Sequence, residues 1–294
     1  MDYRPTSSRS ALQRVEGMPF RWSLNPYRGC RHACRYCYAR VYHSYLGFED
    51  PGDFDRVVLY KDSLPDVLRR ELRRRRAPLD GVVALGTATD PYQPLEARER
   101  LTRRLLAVLL EHGAAVTITT KSPLVLRDLD LLRRFAAYGG VRVHLTVTVL
   151  QEELWRLLEP RAPHPRGRLD AVRRLNDAGV PVSVFVAPIV PGIGEAEALR
   201  VLDAAKAAGA QGAWVDLLRL TPVVREWLMP RLAASRPDAA ATLARLYGQH
   251  EVPPWGVREQ ILEPIRRRRD ALGLGGPLPP PVPRAPLELA LFSS

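Results

Sequence analysis

Between residues 56 and 217 the chain alternates short apolar runs of strand type with longer amphipathic stretches of helical period. Strand candidates fall at 56–60, 82–86, 115–120, 141–149, 181–187 and 213–217. Helical candidates lie among them at 64–76, 95–112, 124–138, 167–178 and 195–208. Turns at Gly113, Gly139-Gly140, Gly179 and Gly209 close several of these helices. Repeated strand–helix alternation dictates a parallel sheet, because each helix crosses over to start the next strand in the same direction. Six or so units fall short of a closed eight-fold barrel. The expected fold is therefore α/β: a partial, open parallel β/α barrel with a C-terminal helical extension. Ligands of such sheets bind beyond the carboxyl ends of the strands, so the residues just after each run carry the functional interest.

The expected organisation is an irregular N-terminal segment at 1–19, the barrel at 20–220, helices at 221–275 and a mobile Pro-rich tail at 276–294. A content of 46% hydrophobic and 26% charged residues suits a globular protein and excludes a disordered one. No run of eighteen apolar residues exists to span a membrane, and residues 1–20 lack the apolar core of a signal peptide. A cytoplasmic location is expected. The net charge of +12 favours polyanionic partners, nucleic acid foremost, against the plainer reading of a solvated basic surface. Of the 44 basic residues only Lys61, Lys121 and Lys206 are lysine. Each stands out, since a compact ammonium and a planar guanidinium are not interchangeable.

Cys30, Cys34 and Cys37 are the chain's three cysteines, spaced C-x3-C-x2-C in the segment Asn25-Pro26-Tyr27-Arg28-Gly29-Cys30-Arg31-His32-Ala33-Cys34-Arg35-Tyr36-Cys37-Tyr38. Thiolates so placed on one loop can hold three irons of a cubane cluster. Ferredoxin-type clusters take four cysteines, so one iron here is left open to an outside ligand. The competing reading is a zinc site completed by His32 or His43. Against it, the chain has one C-x2-C and no second knuckle, and His32 sits cramped between two of the cysteines. A third reading, buried cysteines without metal, conflicts with the polar, Arg-rich neighbours.

Residues 25–40, residues 87–96 (Thr-Ala-Thr-Asp-Pro-Tyr-Gln-Pro-Leu-Glu), Thr119-Thr120-Lys121 and residues 186–192 (Val-Ala-Pro-Ile-Val-Pro-Gly) follow one another in an order that resembles radical S-adenosylmethionine (SAM) proteins. The branch is the one similar to spore photoproduct lyase, and the resemblance covers about residues 20–220. It implies a [4Fe-4S] cluster on Cys30, Cys34 and Cys37 and SAM on the open iron. It further implies cleavage of SAM to a 5′-deoxyadenosyl radical and an electron donor such as flavodoxin or ferredoxin. By the same resemblance Tyr36 lines the adenine pocket, and Tyr38 matches a tyrosine of the lyase-like branch. Thr87, Thr89 and Asp90 meet the SAM amino group and ribose, although Asp90-Pro91 is also a good helix-start signal. Lys121 pairs with the SAM carboxylate. Thr146 and Thr148 are candidate barrel-lining residues, Arg161 lies near the following connection, and Ile189 opens an apolar adenine clamp.

One departure bears on the substrate. Photoproduct lyases carry a further cysteine near the end of the second strand that donates a hydrogen atom, whereas this chain reads Ala84-Leu85-Gly86-Thr87 there. At the far end, Glu288–Phe292 (Glu-Leu-Ala-Leu-Phe) resembles the Gln-Leu-x-Leu-Phe peptide by which bacterial DNA enzymes dock on the sliding clamp, with Glu replacing Gln. A tail folded back on the barrel is the alternative. The leading expectation is a radical SAM enzyme acting on a nucleic-acid-linked substrate, lyase- or repair-like. A radical SAM enzyme for a small molecule or peptide is the first alternative. A non-catalytic zinc or iron–sulfur nucleic-acid-binding protein is the second.

Overall fold

The computed structural model describes residues 1–75, 77–276 and 278–284. Its strands are β1 (Asp2–Pro5), β2 (Gln13–Arg14), β3 (Trp22–Leu24), β4 (Tyr27–Arg28), β5 (Val57–Tyr60), β6 (Val82–Leu85), β7 (Ala115–Thr120), β8 (Val141–Thr146), β9 (Val182–Ile189) and β10 (Ala213–Leu217). The main sheet has the order β10-β9-β8-β7-β6-β3-β2. Its six strands from β3 to β10 run parallel, and β2 caps the edge antiparallel. The sheet does not close, so the open β/α barrel is the observed architecture.

Alternation along the strands explains which face does what. Val116 and Ile118 of β7, Val143 and Leu145 of β8, and Val184 and Val186 of β9 are wholly buried under the crossover helices. Leu105, Leu106, Leu109, Leu132, Val172 and Leu202 meet them from those helices. Each such side chain stabilises the fold by about 1.5–3 kcal/mol relative to exposure. The intervening residues, among them Thr117, Thr119, His144, Ser183 and Phe185, face the barrel interior and are largely polar.

Membership of the sheet differs from expectation at one strand. The run at 56–60 leaves the main sheet and pairs with β1 and β4 in a three-stranded sheet. The first barrel strand is instead β3, whose three residues end just before Asn25-Pro26 and are too few to show a period. Nor is the segment 1–19 irregular throughout, since β1 and β2 lie in it. Asp2-Tyr3-Arg4-Pro5 packs through one side chain, Tyr3, and carries no apolar pattern to announce a strand. The helix expected over 95–112 breaks at Arg100, which takes a left-handed φ of 51°. The buried carboxylate of Glu96 there accepts from the amides of Thr102 (2.9 Å) and Arg103 (3.3 Å), which caps a second helix, Leu101–Glu111.

Beyond β10 come the helices Pro222–Ser235, Pro237–Tyr247 and Trp255–Ala271. The first two build a second apolar core with Leu154, Leu157 and Leu158, and this core carries Cys34 and Tyr36. Residues 278–284, part of the Pro-rich tail, are extended and hydrogen-bonded to the barrel. The Val282 amide donates to Gly139 (3.0 Å), the Arg284 amide to Gly113 (2.7 Å), and Arg142 to the Pro279 carbonyl (3.0 Å). They thus seal the amino ends of β7 and β8. The clamp-like peptide Glu288–Phe292 lies outside the described residues. No helix among the described residues is long and apolar enough to cross a membrane.

Gly86 shows how tightly the strand ends are built. Its φ is +92°, and a Cβ there would lie 2.2 Å from the Thr119 carbonyl oxygen of the neighbouring strand. Gly86→Ala is therefore expected to cost at least about 1–3 kcal/mol of folding free energy, measured as a lowered urea-unfolding midpoint.

Candidate active site

The carboxyl ends of the parallel strands surround a cavity of about 430 Å³. The loop after β3 brings Cys30, His32, Cys34, Tyr36, Cys37 and Tyr38 to it. Residues 86–90 come from the end of β6, 119–121 from β7, Thr146 from β8, and Ala187 and Pro188 from β9. At the open edge it is bounded by Trp214, Asp216 and Arg219, and across from them by Met18 and Phe20.

The cysteine loop has few regular hydrogen bonds of its own, so its neighbours supply them. Gly29 has φ +82°, and a Cβ would strike the Val57 carbonyl oxygen at 2.3 Å; only glycine lets the loop start against β5. The Cys30 amide donates to Phe54 (2.9 Å). Buried Gln93 accepts from the Arg31 amide (3.1 Å) and donates to the Gly29 carbonyl (3.0 Å). Arg40 is wholly buried over the ring of Trp227 and donates to the Cys34 carbonyl (3.0 Å) and to Asp55. From the opposite side the Arg35 amide donates to Leu158 (2.9 Å).

The three thiols are sheltered, Cys30 and Cys34 being buried and Cys37 partly so. Burial pushes all three up, Cys34 to about 12, and neighbouring thiols push Cys30 and Cys34 further. Thiolates in this nest need cationic counter-charge, which a metal cluster supplies. Among the described residues no closed zinc site is assembled. His32 Nε2 lies 3.1 Å from Asp90, His43 Nε2 lies 3.0 Å from the Val57 carbonyl, and among the described residues no three His, Cys, Asp or Glu side chains converge on one ion position. In a cubane each thiolate meets a different iron, so the sulfurs stand further apart.

Asp90 accepts from the Thr120 hydroxyl (2.6 Å) and from the amides of Lys121 (2.7 Å) and Tyr92 (2.8 Å), with His32 beside it. Its oxygens thus build the cavity floor, and the residues after it form a turn leading to the helix Glu96–Glu99, not a helix that Asp90 caps. Thr87 and Thr89 line the cavity, but their hydroxyls are engaged by Ser23 and Asn25 and by the Tyr27 carbonyl. Tyr38 donates to the Thr87 carbonyl. Lys121 is different. Its Nζ sits 5.5 Å from the centre of the Tyr36 ring and forms no ion pair among the described residues. Burial opposes its charge, yet Cys34 and Glu159 outweigh that and raise its pKa.

Two expected contacts do not reach the cavity. Thr148 lies beyond the end of β8 and donates to Glu159 (2.9 Å) behind Tyr36. Ile189 is buried at the end of β9, against the turn at Gly194. Ala187 and Pro188 form the wall in its place. Arg161 is exposed and away from the cavity. Glu159 and Arg168, a fully buried pair, gave no warning in the sequence: charged residues in an Arg-rich stretch read as surface. Met18 and Trp214 at the mouth were equally silent.

Burial alone would raise the Asp90 pKa, but His32, the Lys121 amide and the Thr120 hydroxyl bring it from the ordinary 3.8 to about 2. With the folded value below the unfolded one, its contribution to stability is complete above about pH 4 and is lost as the pH falls toward 2. In acid unfolding of the metal-free chain, Asp90→Asn is expected to lower stability at neutral pH and to flatten this acid limb. An unchanged acid limb would remove Asp90 from the account.

Comparison with known proteins agrees with this geometry. The family model described as the Radical SAM superfamily matches residues 24–205. An uncharacterized protein of Mycobacterium tuberculosis is 37% identical over 294 residues, covering 97% of this chain and 86% of the relative. A Pseudomonas phage M6 protein named Radical SAM Nalpha-GlyT isomerase is 24% identical over 82% of this chain and 48% of its own length. A solved spore photoproduct lyase variant with bound AdoMet and dinucleoside spore photoproduct shares the fold with a TM-score of 0.68, at 17% identity, over 93% of this chain and 80% of that one. With the family model running from the end of β3 through the cysteine loop and the strands β6 to β9, the chain belongs to the radical SAM superfamily and is an enzyme whose cofactors are a [4Fe-4S] cluster and SAM.

Proposed function

We propose that Cys30, Cys34 and Cys37 hold the cluster, that SAM occupies the adjoining cavity, and that the enzyme acts on a nucleic-acid-linked substrate in a lyase- or repair-like reaction. The observation that carries this reading is the meeting of all three cysteines with the Lys121 ammonium, unpaired among the described residues, in a single cavity. When bound, cluster and SAM supply the electron and the 5′-deoxyadenosyl radical. The chain's residues do the rest. Lys121 offers a charge-assisted hydrogen bond to the SAM carboxylate. Tyr36 gives a flat wall, and Phe185, Ala187 and Pro188 keep water from the opposite side. Because the three thiols are taken as ligands, the hydrogen atom that a photoproduct lyase draws from a further thiol must come from another group. Tyr38, with its phenol in the cavity wall, is the candidate.

Three features support the substrate class. The mouth exposes Trp214 (57%), Met18 (56%) and Tyr38 (48%), apolar and aromatic faces suited to stacking. The chain carries a net charge of +12. The photoproduct lyase that shares this fold holds a dinucleoside lesion in its own structure.

Anaerobic reconstitution is expected to give a brown protein with about four irons and four sulfides per chain, lost on changing any one of the three cysteines to Ala. Incubation with SAM and a reductant should release 5′-deoxyadenosine; stoichiometric zinc without sulfide would overturn the reading. Lys121→Ala should keep the cluster and weaken SAM binding by about 1.5–3 kcal/mol, the worth of one hydrogen bond to a charged group. Affinity for DNA or RNA should fall linearly with salt on logarithmic axes. No binding at low salt would move the substrate to a small molecule or peptide.

A further inference from the structure

The side chain that ties the cysteine loop to the barrel most directly never reaches the cavity. Glu159, in the turn after the helix Glu152–Leu158, is fully buried. One of its oxygens accepts from the Tyr36 phenol and from Thr148 (2.9 Å), and the other faces Arg168. Arg168, equally buried, directs its remaining N–H groups to the carbonyls of Thr146 (3.0 Å) and Pro163 (2.8 Å). The Arg35 amide reaches Leu158 next door. Backbone and side chain of the C-x2-C half of the loop are therefore both fastened to the connection after β8. Tyr36 in turn faces the cavity, with Lys121 above its ring.

Stability is a weak explanation for this arrangement. Burying a carboxylate and a guanidinium costs several kcal/mol of desolvation, and apolar residues of equal volume hold a fold as well or better. What the pair adds is direction: a charged acceptor fixes the phenol, and hence the ring plane, to one orientation.

We propose that Glu159 is a positioning residue for SAM, acting through Tyr36, which it holds at the orientation that lets the ring and Lys121 receive the cofactor together. This rests on the reading of the cavity as the SAM site.

The test uses the reconstituted full chain with Tyr36→Phe, Glu159→Ala and the double variant. Tyr36→Phe removes the same hydrogen bond without leaving a buried charge unpaired, so it decides the matter alone if Glu159→Ala fails to fold. Both single variants should keep four irons and raise the SAM dissociation constant roughly tenfold, the lower end of what outer partners of a ligated site contribute. They should also alter the change that SAM causes in the electron paramagnetic resonance spectrum of the reduced cluster, which a purely structural role would leave alone. The double variant should bind no worse than the weaker single one, because both remove one contact. Wild-type affinity and spectrum in Tyr36→Phe, or additive losses in the double variant, would overturn the proposal while the functional reading stands. A wild-type chain that holds the cluster yet binds no SAM would overturn both, and the wild-type control reveals that case at once.

Discussion

A loop bearing three sheltered thiols has backbone polar groups that no helix or sheet pairs for it, and satisfying them is the condition on which the site depends. The fold meets that condition from three sides. Gln93 and the Phe54 carbonyl hold the start of the loop, Arg40 holds its middle, and the turn after β8 holds its end. Two of these fastenings use charged groups buried among apolar side chains. That choice costs desolvation but gives directional bonds, and direction is what a site for a cluster and a flat cofactor requires.

The same logic governs the cavity electrostatics. Asp90 and Glu159 are both held at about 2 despite burial, each by donors of the chain itself. Their charge is already matched inside the protein, so neither competes for the cofactor. Lys121 is the exception: among the described residues its ammonium has no ion pair, and its nearest anionic neighbours strengthen its charge. A single uncommitted cation beside a nest of thiols is an asymmetric site. On the proposed reading it would orient a zwitterion whose carboxylate and amino groups must point to different partners.

How much of this was legible depended on the length of the signal. Strands such as Ala115–Thr120 and Val182–Ile189 alternate over six and eight residues, and their period survives any context. β3 has three residues and β1 has one side chain, Tyr3, packed on the core, so neither has a period to read. The cysteines and Lys121 were legible because their chemistry is rare in this chain. Glu159 and Arg168 were not, since one Arg among 41 carries no mark of burial until a partner from elsewhere meets it. Thr148 was misplaced for a related reason. The sequence continues the strand pattern to Val149, while β8 ends at Thr146 and, after one more amide pairs with β9, the chain runs irregularly to where Glu197 accepts from the amides of Leu150 (2.6 Å) and Gln151 (2.8 Å).

The open edge of the barrel gives the last constraint. A closed barrel would bury the inner faces of β10 and β3, whereas here Trp214 and Met18 stand exposed on opposite banks of one cavity. Both are large apolar groups that water wets at a cost. Asp216 and Arg219 beside Trp214 are already paired, with Arg258 and Glu251, through solvent-exposed bridges that bind weakly. Such bridges yield to a stronger partner. On the proposed function, a substrate entering here would meet apolar faces first and charges that can be exchanged second, while the fixed charges lie deeper in the cavity. Radical chemistry needs that division. The reactive centre has to be rigid and shielded, and selectivity belongs to a mouth that can adjust to what it admits.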